Sequence, residues 1–294
     1  MFRSLSDRRL FLQGLGAAGA ALAGRTLLAE EPSEELREPV FRVAKANAAN
    51  DGATGPHPLD PALELAQKSL EHIRGEVRDY TCTVIKRERV KGQLGDYEYM
   101  FAKIRNRKAE NGRVTVPFGV YLKFLKPASV LDREVLWVEG QNNGKMRAHE
   151  GGPARRFTPT VSLDPTGALA MRGNLYPVTE IGIENLVVKL IEKGTRDKKL
   201  GPCEVEFKKG AKINSRVCTI INVKHEKPNA GFDFHHAQVF LDDELNVPIR
   251  YVAYGWPGKD GAKQLLEEYT YIDLKINPNL TDMDFNEKNP DYAF

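Results

Sequence analysis

The chain has 294 residues, 41% hydrophobic and 28% charged, with 43 Lys and Arg against 40 Asp and Glu for a net charge of +3. This composition excludes a fully disordered or collagen-like chain, and the length allows one large domain or two small ones. Residues 1–29 hold Arg3, Arg8, Arg9 and Arg25 against Asp7, which leaves 39 basic and 39 acidic residues elsewhere. The remainder is therefore neutral. Its basic clusters are short and interrupted by acids, which argues against tracking along phosphates, so no nucleic-acid partner is expected.

The first 29 residues read as an address. Arg8-Arg9 is followed by Leu10, Phe11 and Leu12, then by a weakly apolar run rich in Ala and Gly from Gly14 to Gly24. This resembles a twin-arginine (Tat) signal peptide, cut after Ala23 or Ala29, and implies passage through the Tat translocase to the periplasm or beyond. The apolar run is too short to span about 30 Å of hydrocarbon, so no transmembrane anchor is expected in the mature chain. Residues 30–58 are rich in Glu, Ala, Asn, Gly and Pro and read as a flexible linker. Residues 59–294 show no internal boundary and are expected to form a single domain.

Asp60 and Pro61 predict a helix start, as N-cap and first-turn proline. Leu63, Ala66, Leu70, Ile73 and Val77 then recur at helical spacing over residues 59–76. The period next changes to two. Tyr80, Cys82 and Val84 alternate with Thr81, Thr83 and Ile85, and strands follow over 97–107 and 118–125. Two more strands join at Asn142-Asn143-Gly144, residues that accept positive φ. A Gly- and Pro-rich stretch over 151–177 reads as loop with one short strand. A second helix is predicted over 179–193, capped near Thr179 or Glu180. Strand pairs follow around Gly210 and around 242–246, and a long last strand ends at Asn277-Pro278. The pattern predicts an α+β fold: an antiparallel sheet of about nine to eleven strands packed on two helices.

The segments Pro117-Phe118-Gly119-Val120-Tyr121-Leu122-Lys123-Phe124, Asn143-Gly144-Lys145, Phe232-Asp233-Phe234-His235-His236, Leu245-Asn246-Val247-Pro248 and Glu268-Tyr269-Thr270-Tyr271 carry a likeness to a domain-of-unknown-function family of exported bacterial proteins. The closing run Tyr271 to Leu280, followed by Asp284-Phe285, resembles the end of the periplasmic lipoprotein carriers of the LolA and LolB superfamily. That resemblance implies that the antiparallel sheet is strongly curved, an incomplete barrel wrapped on the helices, with an apolar groove able to hold acyl chains and a lipid, lipoprotein or other envelope component as partner. The chain is longer than a plain carrier. Its extra length lies in 140–215, and an insertion that filled the groove would leave no room for lipid.

Catalytic motifs are absent from the sequence: no G-x-S-x-G, H-E-x-x-H or phosphate-binding glycine loop occurs. No cofactor is expected. On a strand, Asp233 and His235 would share a face, which makes them weak candidates for a metal or acid–base site in a periplasmic hydrolase or metalloenzyme. Cys203 and Cys218 flank a predicted hairpin and would bond if they faced each other. Asp242-Asp243-Glu244 reads as a solvated turn, and the run Lys86-Arg87-Glu88-Arg89 as a charged strand face. Phe118, Val120, Leu122 and Phe124 share one strand face and are expected, with Trp137, to line a ligand groove. The reading is a non-enzymatic binding module for an apolar or amphipathic envelope ligand; a structural protein of envelope assembly is the other alternative. An enclosed apolar cavity of several hundred Å³ would mark the carrier, and a filled interior the structural protein.

Overall fold

A computed structural model describes residues 56–229, 231–259 and 261–294, without the side chains of residues 154–156. The twin-arginine segment and residues 30–55 of the predicted linker lie outside the described residues.

Helix α1 runs over Asp60–Glu76. It is followed by β1 (Asp79–Val90), β2 (Gln93–Leu94), β3 (Glu98–Arg105), β4 (Lys108–Glu110), β5 (Arg113–Val116), β6 (Gly119–Lys126), β7 (Glu134–Val138), β8 (Met146–His149) and β9 (Val161–Leu163). Helix α2 spans Ile183–Leu200. After it come β10 (Glu204–Ile213), β11 (Arg216–Lys224), β12 (His236–Asp242), β13 (Pro248–Gly255) and β14 (Gln264–Ile276). The main sheet runs β10-β11-β12-β13-β14-β1-β3-β6-β7-β8-β9, with β2 hung on β1. Every neighbouring pair is antiparallel, and β9 and β10 are opposite free ends. This is the open, incomplete barrel that the resemblance implies, built of the antiparallel strands that the period-two pattern predicts. Its seam is the long pairing of β1 with β14, which joins the meander before α2 to the one after it.

The inner face of the sheet and the two helices share one core. Tyr80, Met100, Ile104, Val120, Ile183, Ile220 and Phe240 are among its fully buried members. The outer face of the middle strands is apolar as well, because the end of the chain covers it. Tyr121, Leu136 and Val138 pack under Phe285, and Tyr292 stacks on Tyr121 with ring centroids 3.8 Å apart. A capping box between Thr281 and Asp284 fixes the turn that brings this segment round.

Four local expectations are corrected. Leu59, not Asp60, is the N-cap of α1; Asp60 instead accepts from the His57 amide at 2.8 Å and pairs with Lys198 on α2. Helix α2 starts at Ile183 and continues to Leu200, beyond the apolar stripe. Gly182, at φ +112, precedes it, and Gly194 faces Leu63 so closely that a Cβ there would lie 2.9 Å away. The charged last turns are helical because α1 packs on them, which an apolar count does not register. Gly210 forms a bulge inside β10 rather than the hairpin turn, which falls at Asn214 with φ +51. Residues 232–235 precede β12 and are not strand.

The bulge and turn decide the cysteines. Cys218 stands opposite Ala211, while Cys203 lies just before the Glu204–Lys224 pair at the far end of the hairpin. Seven residues at about 3.3 Å each separate them by roughly 23 Å, far beyond disulfide reach. Cys82, Cys203 and Cys218 are free and buried. Burial pushes the Cys203 and Cys218 thiols up to about 12, with nearby acids adding to the effect.

Candidate functional site

Between the inner face of the sheet, α2 and the connection 164–182 lies a cavity of about 140 Å³. Its floor is apolar and comes from neighbouring strands: Val84, Met100, Leu122, Phe124, Val135 and Met146. These side chains converge because each sits at an inward position of its strand, with Met100 paired to Phe124 and Leu122 to Val135. Ala170, Tyr176, Ile181 and Leu186 form the roof. The insertion thus covers the groove without filling it. The cavity is smaller than the several hundred Å³ expected of an enclosed carrier; a volume on the order of 150 Å³ takes one benzene-sized group.

The mouth is polar. The alternation that turns Tyr80, Cys82 and Val84 inward continues to Lys86 and Glu88, so the run read as a charged strand face places two of its residues inside. Glu88 accepts from the Tyr269 hydroxyl and, at 3.0 Å, from the Leu175 amide. Lys86 bonds Asn174 and pairs with Glu98 at 2.9 Å and Glu88 at 3.6 Å. From β14, Glu267 enters 5% exposed, its Oε1 accepting from Lys193 at 3.2 Å and the Tyr251 hydroxyl at 3.3 Å. The roof is therefore latched by Asn174 and Leu175 to β1 and by Lys193 of α2 to β14.

Three tyrosines stand among these carboxylates. Burial first, then the charges of Glu88 and Glu267, raise Tyr269; burial and Glu267 raise Tyr176 and Tyr251. All three are neutral hydroxyls at physiological pH. Tyr269 and Tyr251 donate to carboxylates and Tyr176 accepts from Lys193 at 3.4 Å, so the mouth is built to hold polar groups.

The predicted groove residues separate. Leu122 and Phe124 line the cavity; Val120 is fully buried in the core beside it. Phe118 and Trp137, ring centroids 5.9 Å apart, face a different hollow of about 260 Å³ beside Ile181 and Asn185. Asp233 and His235 do not form a pair, because the strand alternation assumed for them is missing. Asp233 binds Arg196 at 3.0 Å, and the His235 ring bonds the His225 carbonyl through Nδ1 at 2.7 Å. Among the described residues no cluster of three or more His, Cys, Asp or Glu is arranged to hold a metal ion. The Asp242 turn is closed by Arg216, which reaches Asp242 at 2.5 Å and Glu244 at 3.2 Å.

His236 enters β12 stacked on Tyr254 and bonded to Asn222. Burial, then the positive charges of Lys263, His235, Lys208 and Lys224, depresses it to about 4. The unfolded chain therefore binds this proton more readily than the fold does. Its stabilising effect is present above an ordinary pKa of about 6.5 and is lost as pH falls from there toward about 4. Urea midpoints at pH 7 and 4.5 should fall less in His236→Gln than in the natural chain; equal falls contradict this assignment.

The model of a family described as a protein of unknown function, DUF1571, matches residues 77–294, well over half of the chain. The chain belongs to this family. No curated protein matches it. Among solved structures it is similar to a DUF1329 family protein from Desulfovibrio piger, at 12% identity and a TM-score of 0.37 over 79% of this chain and 98% of that one. It is also similar to a domain assigned to outer membrane lipoprotein sorting from Vibrio parahaemolyticus, at 15% identity and 0.35 over 76% and 96%. A LolA superfamily protein from Nitrosomonas europaea gives 10% and 0.29 over 75% and 97%. Likenesses this distant carry no argument about what the DUF1571 chain does. No helix among its described residues is long and apolar enough to cross a membrane.

Proposed function

We propose that this DUF1571 protein is an exported, non-enzymatic binding module that takes the apolar part of an envelope lipid, lipoprotein or similar amphiphile into the cavity of its curved sheet. The observation that carries this reading is the cavity itself, with an apolar floor, a polar mouth and a roof tied down by side chains. Leu122 and Phe124, with Val84, Met100, Val135 and Met146, are the proposed contacts for the apolar part. Export rests on the twin-arginine pattern of residues 1–29, with residues 59–294 as the folded unit.

Burial supplies about 0.8 kcal/mol per methylene, so six carbons contribute about 5 kcal/mol before association entropy is subtracted. The cavity as it stands has room for about that much chain. A longer chain enters only if Asn174 and Leu175 release Lys86 and Glu88. The roof is thus part of the proposed binding cycle, and an unlatched strap should speed uptake of long chains.

The test fills the cavity from the roof. Ala170 lines it from an exposed-side loop, so Ala170→Trp occupies the space with little disturbance of the sheet. A fluorescent apolar probe, titrated into both proteins, should bind the natural chain and lose at least tenfold in affinity in Ala170→Trp. Equal binding by the two proteins, or none by either, would remove the cavity from the function.

A further inference from the structure

The polar mouth carries a dense network of charged side chains. Lys86 is shared between Glu88 and Glu98, and Lys193 between Glu267 and Asp233. Lys189 pairs with Glu180 at 2.6 Å. Among the described residues, these contacts set five carboxylates against three lysines. Arg196, which also reaches Asp233, is drawn equally to Asp197. The charged side chains that line the cavity itself balance, Lys86, Lys189 and Lys193 against Glu88, Glu180 and Glu267.

One atom of this set is left without a donor. Glu267 is 5% exposed and lines the cavity; its Oε1 takes the bonds from Lys193 and Tyr251, while its Oε2 is buried without any hydrogen bond. A buried carboxylate oxygen with no donor is costly, and a structure seldom retains one for nothing. The rings of Tyr176 and Tyr251 stand beside it, each already facing the ammonium of Lys193 at 6.0 and 5.7 Å from the centroid. Carboxylate and aromatic faces together are the surroundings that favour an ammonium group.

We propose that the cavity recognises an amphiphile bearing a primary ammonium group, whose N–H donates to Glu267 Oε2 while its alkyl part lies on the floor formed by Leu122, Phe124 and Val135. This rests on the reading of the cavity as a binding site for apolar chains, and adds the chemistry of the head. A fatty carboxylate has no donor for Oε2 and meets its like charge. A neutral alcohol donates one bond to Oε2 but brings no compensating charge.

Hexylamine, hexanol and hexanoate, equal in carbon number, separate the possibilities. Calorimetric titration of each into the natural chain at pH 7 should rank amine over alcohol over carboxylate, the amine ahead by about tenfold or more. Glu267→Gln keeps the size of the side chain and removes the charge. It should cost the amine about tenfold and leave the alcohol within about twofold, whereas Ala170→Trp should weaken all three. If the alcohol binds as tightly as the amine, or Glu267→Gln leaves the ranking intact, the ammonium assignment falls and the apolar cavity stands. Binding of the amine unchanged by Ala170→Trp would place it outside the cavity and overturn the proposal. If none of the three binds, the binding-module reading fails with it. Thermal unfolding of each variant without ligand shows whether it is folded before its affinity is read.

Discussion

Tyr80→Ala should lower the unfolding free energy by about 3–5 kcal/mol, and Tyr80→Phe by about 1–2 kcal/mol. Tyr80 is 0% exposed on β1, and its hydroxyl accepts the Ile183 amide at 2.8 Å. That amide belongs to the first residue of α2, and Gly182 before it has no side chain to cap the helix. The strand thus supplies an acceptor for the first of the free amides at the start of α2. Alanine removes a large core ring and the acceptor together, whereas phenylalanine removes only the acceptor and leaves one buried N–H unpaired. Guanidinium midpoints of the three proteins measure both costs. If Tyr80→Phe is as stable as the natural chain, the hydroxyl is not what anchors α2.

The other end of the same helix gives the second large effect. Asp197, 1% exposed, accepts from Arg196 at 3.0 Å and bonds the His225 Nε2 at 3.1 Å. The His225 ring is fully buried, stacked on Phe232 at 3.8 Å, with its Nδ1 unbonded. Asp197→Ala leaves both ring nitrogens of His225 without partners in an apolar stack, and should cost about 3 kcal/mol. Asp197→Asn keeps an oxygen toward the ring and should cost clearly less. An alanine variant as stable as the natural chain would mean that this pair does not hold α2 to β11. Both substitutions act on the roof of the cavity, since α2 carries Leu186, Lys189 and Lys193. The same variants should therefore weaken ligand binding beyond what their stability loss accounts for.

The sheet was legible in the sequence because alternation repeats over strand after strand, and turn residues such as Asn142-Asn143-Gly144 mark where the chain reverses. The two helices were legible from apolar residues at helical spacing, while the open form of the sheet and the insertion were implied by the resemblance to the carriers. The mouth was harder to see. Lys86 and Glu88 fall on the inward parity of β1 and Glu267 on the parity of Tyr269 and Tyr271, so the positions were readable. Ordinary expectation places charged residues outward, and only their partners across the fold reveal why they turn in. Lys86 is separated from Asn174 by 88 residues and Glu88 from Tyr269 by 181, distances that local pattern does not bridge. Asp233 and His235 failed for the converse reason. Their spacing suits a strand, but the chain around Phe232 packs against His225 and Leu200 instead of pairing, so the parity argument had nothing to act on. Cys203 and Cys218 failed because one bulge and a displaced turn reset the hairpin register.

The central claim is that a folded DUF1571 chain carries an amphiphile in its sheet. Native mass spectrometry of the full chain, purified gently from the envelope of cells that express it, tests this most directly. The account predicts a population heavier than the bare chain by the mass of one lipid-sized molecule, released on denaturation and much reduced in Ala170→Trp. Repeated recovery of the bare chain alone, under conditions that preserve lipid on a known carrier, would contradict it.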